Sequence, residues 1–347
     1  MFGRLGQRLS QLMSSQEKKP APPAPPAPPA SPAAKASTPD PKASGMPAWK
    51  PMPPEFSDEE RRAILAVDET AVASLSSTII SELLASIDKI PPFPVVANRL
   101  IEALEARNIR TDVVEKLITQ DSVIAAKILS VANSPVYGLT TPVETLPLAI
   151  RTLGLDEISR IAIAAAAAAV FNTEERMAHE SMSRQQQLAW AHSLATARGA
   201  AWLAMHLDSD VQRAYVAGLI HDVGKPVALR GLGLAMVNGR LRETPSAPLV
   251  FATVERVHAQ VGSIVADVWK LGEHLTNVVT NHHDIESPEK IIKIVGLSSM
   301  VDEFRVNPAQ AQDLLNSIRT LAKSLSVSEA RIGELEFELK KASAARL

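Results

Sequence analysis

The chain has 347 residues, of which 46% are hydrophobic and 21% are charged, and its formal net charge is −2. This composition is ordinary for a globular protein of one or two domains, and the near-neutral charge gives no general field that attracts nucleic acid. The absence of cysteine excludes disulfides, thiol nucleophiles and cysteine-ligated zinc. No stretch has the ~20 uninterrupted apolar residues of a membrane span, and the N-terminus lacks a signal-peptide core, so we expect a cytoplasmic protein.

Residues 1–19 have the spacing of a short amphipathic helix. The apolar residues at helical intervals are Phe2, Leu5, Leu9 and Leu12. Such a helix would associate weakly with a membrane surface or with a partner through residues 2–13. A frayed tail is an equal alternative, because an isolated helix of this length is marginal in water.

A proline- and alanine-rich segment follows at residues 20–56, and 14 of the chain's 25 prolines fall by residue 54. Proline removes backbone donors and favours extended polyproline II, so the segment predicts a disordered linker, favoured here over a docking site for a proline-binding module. Residues 57–87 then predict a helical lead-in, because Ser57 followed by Glu60 has the spacing of a capping box.

From residue 57 to the C-terminus the apolar pattern is helical, and no segment of useful length alternates as a strand does, so we expect an all-α protein. In the first group of helices, "DSVIAAKILSVANSPVYG" begins at the N-cap candidate Asp121. The segment "PLAIRTLGLDEISRIAIAAAAAAVF" predicts a short helix, a break at Gly154 and a longer, alanine-rich buried helix.

A second helical group contains most of the candidate functional residues. A long helix carries His192, and "SDVQRAYVAGLIHDVGK" predicts a helix that carries His221 and Asp222 and ends at Gly224. In this interpretation Lys225 is a solvated residue favoured by the dipole at a helix C-terminus, or else a contact for phosphate.

Beyond the His–Asp pair we expect a loop rich in glycine and proline at residues 231–248. A valine-striped helix carrying His258 follows, and then a helix from Glu273 to His283. Residues 306–347 predict further C-terminal helices.

Several histidines of this group lie on or beside apolar helix faces, where an unpartnered imidazole is costly to bury. The candidate metal ligands are His192, His221, Asp222, His258, His282 and His283. Neutral imidazoles with a carboxylate suit iron, manganese or zinc. A hydrogen-bonded structural network without a metal is the alternative that the spacing leaves open.

The order of these segments resembles the HDOD family, the HD-related output domains of bacterial signalling proteins. The segments that carry the resemblance span about residues 88–290 and are "IPPFPVVANRLIEAL", "DSVIAAKILSVANSPVYGL", "VETLPLAIRTLGLDEI", "AYVAGLIHDVGKPVA" and "ERVHAQVGSIVADVWKLGEHLTNVVTNHH". The resemblance implies a multi-helix bundle of two helical sub-domains, which we place at residues 88–305.

The resemblance also implies roles for the candidate ligands. The wider HD superfamily consists of metal-dependent phosphohydrolases, whose motif runs from a histidine through the His–Asp pair to a closing aspartate. His192 matches the first position and His221–Asp222 the pair. His258 and the His282–His283 doublet resemble the extra histidines of the HD-GYP branch, which cleaves cyclic di-GMP.

Two departures from that pattern shape the functional expectation. The chain reads "DIESPEK" where the GYP element should follow, and alignment with the pattern puts Ser299 at the closing position. Asp302 lies almost a turn later, and the sequence leaves open whether it replaces the closing aspartate. A missing closing carboxylate should weaken ion binding and misplace the attacking water.

We therefore expect a non-catalytic output or scaffold module with protein partners in a signalling pathway and without a required cofactor. The alternative is a metal-dependent phosphohydrolase acting on a nucleotide or cyclic dinucleotide. A sensor that binds a nucleotide second messenger without turnover is a third interpretation.

Overall fold

The computed structural model describes residues 57–90, 92–105, 110–134, 137, 140–171, 180–306 and 311–344. The described residues are helical and contain no strand, so the all-α prediction is confirmed. The helices, in chain order, are α1 (Asp58–Leu65), α2 (Glu69–Ala85), α3 (Val95–Glu105), α4 (Thr111–Thr119), α5 (Ser122–Ala132), α6 (Leu146–Leu153), α7 (Leu155–Phe171), α8 (Glu180–His206), α9 (Val211–Ile220), α10 (Gly224–Val237), α11 (Ala247–Trp269), α12 (Glu273–Asn281), α13 (Lys290–Val306), α14 (Ala311–Ser324) and α15 (Glu329–Ala344). A 3₁₀ turn, Ile87–Lys89, follows α2.

Local sequence signals account for several helix boundaries. The Ser57 side chain accepts a hydrogen bond from the Glu60 amide, and the Glu60 carboxylate accepts one from the Ser57 amide, which completes the predicted capping box. Asp121 caps α5 by accepting from the amides of Val123 and Ile124. Gly154 separates α6 from α7 at φ 84°, a left-handed conformation that glycine adopts without steric cost.

The alanine-rich helix α7 lies in the middle of the first helical group. It packs against α3, α5 and α6, and it also contacts α8 and α9 of the second group. Alanines such as Ala162 and Ala164 are buried and let neighbouring helices approach closely, as the sequence predicts for a short apolar run. This helix therefore joins the two helical groups through one continuous core.

The long helix α8 organises the second group and carries His192. It packs against α9, α13 and α15, so the predicted C-terminal helices cover its outer side. The lead-in helices α1 and α2 pack on α10 and α11, with α1 held additionally by an ion pair between Glu60 and Arg184 of α8. The described residues all belong to one compact unit, within which these two groups share their core.

The sequence-based interpretation of residues 224–248 is wrong in two places. Gly224 does not end a helix: it begins α10, and positive φ is absent there. The expected loop at 231–248 is helical as far as Val237, where α10 ends, and Gly239 follows two residues later with φ 69°. Glycine at 224 serves close packing instead of chain reversal, because a Cβ there would lie 1.8 Å from the His258 carbonyl oxygen.

Replacing Gly224 with alanine should therefore destabilise the protein by about 1–3 kcal/mol, because α10 and α11 must separate to admit the methyl group. Gly233→Ala in the same helix is the matched control: its nearest neighbour to a Cβ is 4.0 Å away, and alanine should stabilise the helix by roughly 0.5–1 kcal/mol. Chemical denaturation of both variants tests this. Equal stability of the two would contradict the packing explanation.

Residues 1–56 lie outside the described residues, and so do the predicted amphipathic helix and linker. Within the described part of the chain, no single helix combines the length and the apolar character needed to cross a bilayer. Helices α1 and α2 meet that criterion of length and composition only as a pair, and they are bent by 84° at the break between them.

Candidate metal centre

The second helical group brings all six predicted ligands to one place. His192 comes from the middle of α8, while His221 and Asp222 occupy the turn between α9 and α10. His258 comes from α11, and the doublet follows the last residue of α12. The ring contacts that connect the histidines run from His192 to His221, His282, His258 and His283.

Asp222 lies at the centre of this cluster, with 1% of its side chain exposed. Its Oδ2 atom is 3.4 Å from His221 Nε2 and 3.6 Å from His192 Nε2. Its Oδ1 atom is 3.3 Å from His258 Nε2 and 3.4 Å from His282 Nε2. One carboxylate thus faces two sets of imidazoles through different oxygens.

Hydrogen bonds on the far side of each ring decide which nitrogen faces Asp222. Nδ1 of His192 lies 2.8 Å from a carboxylate oxygen of Asp302. For His221, His258 and His282, Nδ1 lies against backbone carbonyl oxygens, which can only accept. Those carbonyls belong to Gly218, Glu255, Val278 and Val279. In the neutral rings Nδ1 therefore carries the hydrogen, and the Nε2 lone pair points into the cluster.

Most of these lone pairs face other acceptors. His258 Nε2 lies 3.2 Å from His282 Nε2 and 2.9 Å from His283 Nε2. His221 Nε2 and Asp222 Oδ1 are buried without a hydrogen bond of normal geometry. Lone pairs that face each other across such distances repel unless a proton or a cation lies between them. The donor set fits a divalent ion of the transition series.

Lys225 is the cation nearest to Asp222. Its Nζ atom forms ion pairs at 2.8 Å with Asp222 and at 3.0 Å with Glu255. The expectation of a solvated lysine at a helix C-terminus is wrong, since the residue is buried in the first turn of α10, where the helix dipole disfavours a positive charge. The carboxylates of Asp222 and Glu255 stabilise the positive charge of Lys225, which the helix dipole destabilises.

The electrostatics of the cluster follow from burial and these charges. Burial by itself raises the pKa of Asp222, but the Lys225 ammonium group at 2.8 Å and the surrounding imidazoles hold that pKa well below its ordinary value. Burial lowers the pKa of Lys225, and the carboxylates of Asp222 and Glu255 reverse this and raise it. The two groups therefore stay charged as a pair.

The histidines divide into two kinds. Burial lowers the pKa values of His221 and His258, so both rings are neutral and their Nε2 atoms are free to bind an ion. Burial also acts to lower the pKa of His192, but the hydrogen bond and charge of Asp302 outweigh it and raise that pKa. An ion that binds Nε2 of His192 must displace its proton.

The closing position is occupied as the sequence indicates, by a hydroxyl group. Ser299 Oγ lies 3.2 Å from His192 Nε2 and donates a hydrogen bond to Glu303 at 3.2 Å. Asp302 contacts Nδ1 of His192, the nitrogen on the opposite side of the ring from Asp222. Asp302 therefore orients the His192 ring from the side away from Asp222.

Two carboxyl groups lie beside the cluster but are not among the ligands predicted from the sequence: those of Glu255 and Glu303. Glu255 lies three residues before His258, and Glu303 lies four residues after Ser299, so each is one helical turn from a motif position. That spacing could have identified them. With exposed fractions of 36% and 29%, they lie at the more open edge of the cluster.

Comparison with known proteins gives a consistent family assignment. The family model for the HDOD domain matches residues 90–285. An HDOD domain protein of unknown function from Geobacter sulfurreducens superposes with a TM-score of 0.58 at 24% identity, covering 79% of this chain and 97% of that chain. At that identity the likeness concerns the fold alone.

The curated proteins that match in sequence include two that show the extent of the likeness. An uncharacterized protein of Treponema pallidum (strain Nichols) is 23% identical over 267 residues, which are 72% of this chain and 50% of that protein. Ribonuclease Y of Enterococcus faecalis is 27% identical over 140 residues, which are 40% of this chain and 22% of the ribonuclease. The chain thus spans half or less of the length of these relatives.

Proposed function

The chain belongs to the HDOD family, and from that membership we propose that it is a non-catalytic output or scaffold module of a signalling pathway, built around a divalent-ion centre. The centre is formed by His192, His221, Asp222, His258 and the His282–His283 doublet. In this proposal the ion stabilises the helical arrangement that a protein partner recognises. The sequence alone favoured a module without a cofactor; the geometry of the ligand atoms favours the ion.

The observation that carries the ion is the set of buried acceptors that face one another. Oδ1 of Asp222 and Nε2 of His221 meet no hydrogen bond of normal geometry, while Oδ2 of Asp222 pairs with the Lys225 ammonium group at 2.8 Å. A bound divalent ion would satisfy these atoms and separate the lone pairs of His258 and His282, which lie 3.2 Å apart. An ion of this kind supplies Lewis acidity and a local positive charge.

The absence of turnover is supported by the charge of the cluster. Asp222 and Asp302 inside it and Glu255 and Glu303 at its open edge contribute four carboxyl groups, against the ammonium group of Lys225. Such a cluster attracts a cation and repels a phosphate ester, which is itself anionic. The hydroxyl group at Ser299 also leaves the closing position without the carboxylate that the hydrolases of the superfamily use.

A metal-dependent phosphohydrolase is the second candidate, and one observation favours it. His192 has 12% of its side chain exposed, and Asp302 supports its Nδ1 atom at 2.8 Å. A histidine oriented by a carboxylate at the edge of an ion site can act as a general acid or base. Lys225 is less suited to bind a substrate phosphate, because two carboxylates already engage its ammonium group.

Removal of the ion tests the proposal. The purified protein should contain one or two divalent ions per chain, and chelation should lower its melting temperature because an ion that binds only the folded state stabilises it by mass action. Addition of Mn²⁺ or Zn²⁺ should restore the original value. Metal analysis and thermal unfolding with and without chelator measure both effects.

Turnover separates the two candidates. The reloaded protein should leave cyclic dinucleotides and simple phosphodiesters intact over hours. Metal-dependent hydrolysis of any of them would establish the second candidate in place of the first. A protein that contains no ion, cannot be loaded and is indifferent to chelation would contradict the ion centre altogether.

The remaining expectations about partners stay predictions. A signalling protein is the proposed partner, with a nucleotide second messenger as a further ligand, and no role in nucleic-acid binding is expected. Weak membrane association would involve residues 2–13, which lie outside the described residues, and the cytoplasmic location stays a prediction.

A further inference from the structure

The serine at the closing position has a carboxylate one helical turn away. Residues four apart on a helix lie on the same face, so Glu303 is on the side of α13 that Ser299 presents to the cluster. Its longer side chain reaches back: Oε1 accepts the hydrogen bond from Ser299 Oγ at 3.2 Å and lies 3.8 Å from His192 Nε2. A carboxylate oxygen therefore lies beside the position that Ser299 leaves without one.

We propose that Glu303 supplies the carboxylate missing at Ser299 and completes a four-ligand ion site with His192, His221 and Asp222. This inference rests on the proposed ion centre and assigns one further ligand to it. It differs from the pattern implied by the HD superfamily, in which an aspartate at the closing position has that role.

Three of the four ligand atoms already lie together, since those of His192, His221 and Asp222 are all within 4.8 Å of one another. Zinc bound tetrahedrally at about 2.0–2.1 Å places its ligand atoms about 3.3–3.4 Å apart. Asp222 Oδ2 lies 3.4 Å from His221 Nε2 and 3.6 Å from His192 Nε2, and Glu303 Oε1 lies 3.8 Å from His192 Nε2. To complete the set, the Glu303 side chain must rotate towards Asp222 and His221.

The surroundings of Glu303 also favour a cation. Glu255 and Asp222 contribute further carboxylates to the same cluster, and both pair with one ammonium group, that of Lys225, at 3.0 and 2.8 Å. A divalent ion would add positive charge where these carboxyl groups converge.

Four protein ligands have a functional consequence. Structural ion sites are closed by protein ligands, whereas catalytic zinc sites keep a position for water. With Glu303 in place, no coordination position of a tetrahedral ion remains for an attacking water. The relocated carboxylate thus agrees with a module that holds an ion without hydrolysing a phosphodiester.

Three variants of the full chain show whether Glu303 binds the ion directly or acts only through its negative charge. Glu303→Gln keeps the shape and removes the anionic ligand. Glu255→Gln removes the same charge from the same edge on the α11 side, and serves as the matched control. The double variant Ser299→Asp/Glu303→Gln places a carboxylate at the family's closing position. Thermal unfolding in chelator verifies the fold of each before use.

Titration calorimetry with Zn²⁺ and Mn²⁺ measures affinity, and the visible absorption of added Co²⁺ reports coordination number. We expect Glu303→Gln to weaken zinc binding at this site by at least about 100-fold, since even outer groups around an ion contribute 10–100-fold. Glu255→Gln should stay within roughly tenfold of the wild type. The double variant should recover most of the affinity.

Each other outcome has a distinct meaning. Wild-type affinity in Glu303→Gln would overturn the assignment of Glu303 and leave the ion centre intact. Equal losses in the two glutamine variants would show that only charge is lost, which also overturns it. A wild-type chain that binds none of the three ions would instead refute the proposed centre itself.

Discussion

Replacing Asp222 with alanine should lower the free energy of unfolding by about 3–5 kcal/mol, the usual cost of removing one partner from a buried ion pair. The change leaves the Lys225 ammonium buried with only Glu255 as its counter-ion. It also removes the two oxygens on which four imidazoles converge. For a domain of this size the melting temperature should fall by roughly 10 °C.

Measuring unfolding with and without chelator shows how much of the lost stability comes from the bound ion. The wild type should lose stability on chelation, while Asp222→Ala should be insensitive to it because its ion site is already broken. Asp267→Ala, an exposed aspartate on α11, is the control and should change stability by less than about 0.5 kcal/mol. A loss in Asp222→Ala that is the same size with and without chelator, beside a chelator-insensitive wild type, would mean that the cluster is a hydrogen-bonded network without an ion.

Replacing Lys225 with methionine should cost about 3 kcal/mol in the presence of chelator. Methionine fills most of the volume but leaves Asp222 and Glu255 without their shared cation in a buried setting. The loss should shrink when Mn²⁺ or Zn²⁺ is added, because the ion then supplies the positive charge. Urea denaturation with chelator and with metal measures the two values.

A double-mutant cycle tests the pairing directly. Asp222→Asn/Lys225→Met should be less destabilised than the sum of the two single variants, with a coupling of roughly 1–3 kcal/mol. Lys225→Met with unchanged stability in chelator would show that the lysine is not part of the buried network. A role as a phosphate contact would then be the better interpretation.

Most of the helical architecture could be predicted from local sequence. The capping box at Ser57 and Glu60, the N-cap at Asp121 and the break at Gly154 all depend on residues within one turn of the boundary. The histidines of the site were also identifiable, because imidazoles on otherwise apolar helix faces require partners. Their association with the HDOD pattern came from the order of the motifs along the chain.

The sequence-based predictions were wrong at residues whose role depends on a contact with another helix. Gly224 reads as a helix stop because glycine ends many helices, but its function is to let α10 approach the His258 carbonyl group. Lys225 reads as solvated because it follows that supposed stop, although Glu255 of α11 and Asp222 enclose it. Periodicity reports which face of one helix is apolar, and it contains no information about which helix will cover that face.

The sequence by itself determined that the described part of the chain is helical, where several of its helices begin or end, and which imidazoles and which aspartate need partners. Only the tertiary structure decided that Asp222 stands between two sets of Nε2 atoms, that Asp302 supports His192 from behind, and that Glu303 lies beside Ser299. Helix boundaries depend on contacts within a few residues, whereas His192 and Asp302 are 110 residues apart and meet only because α8 packs on α13. The chemistry of the centre is therefore a property of helix packing.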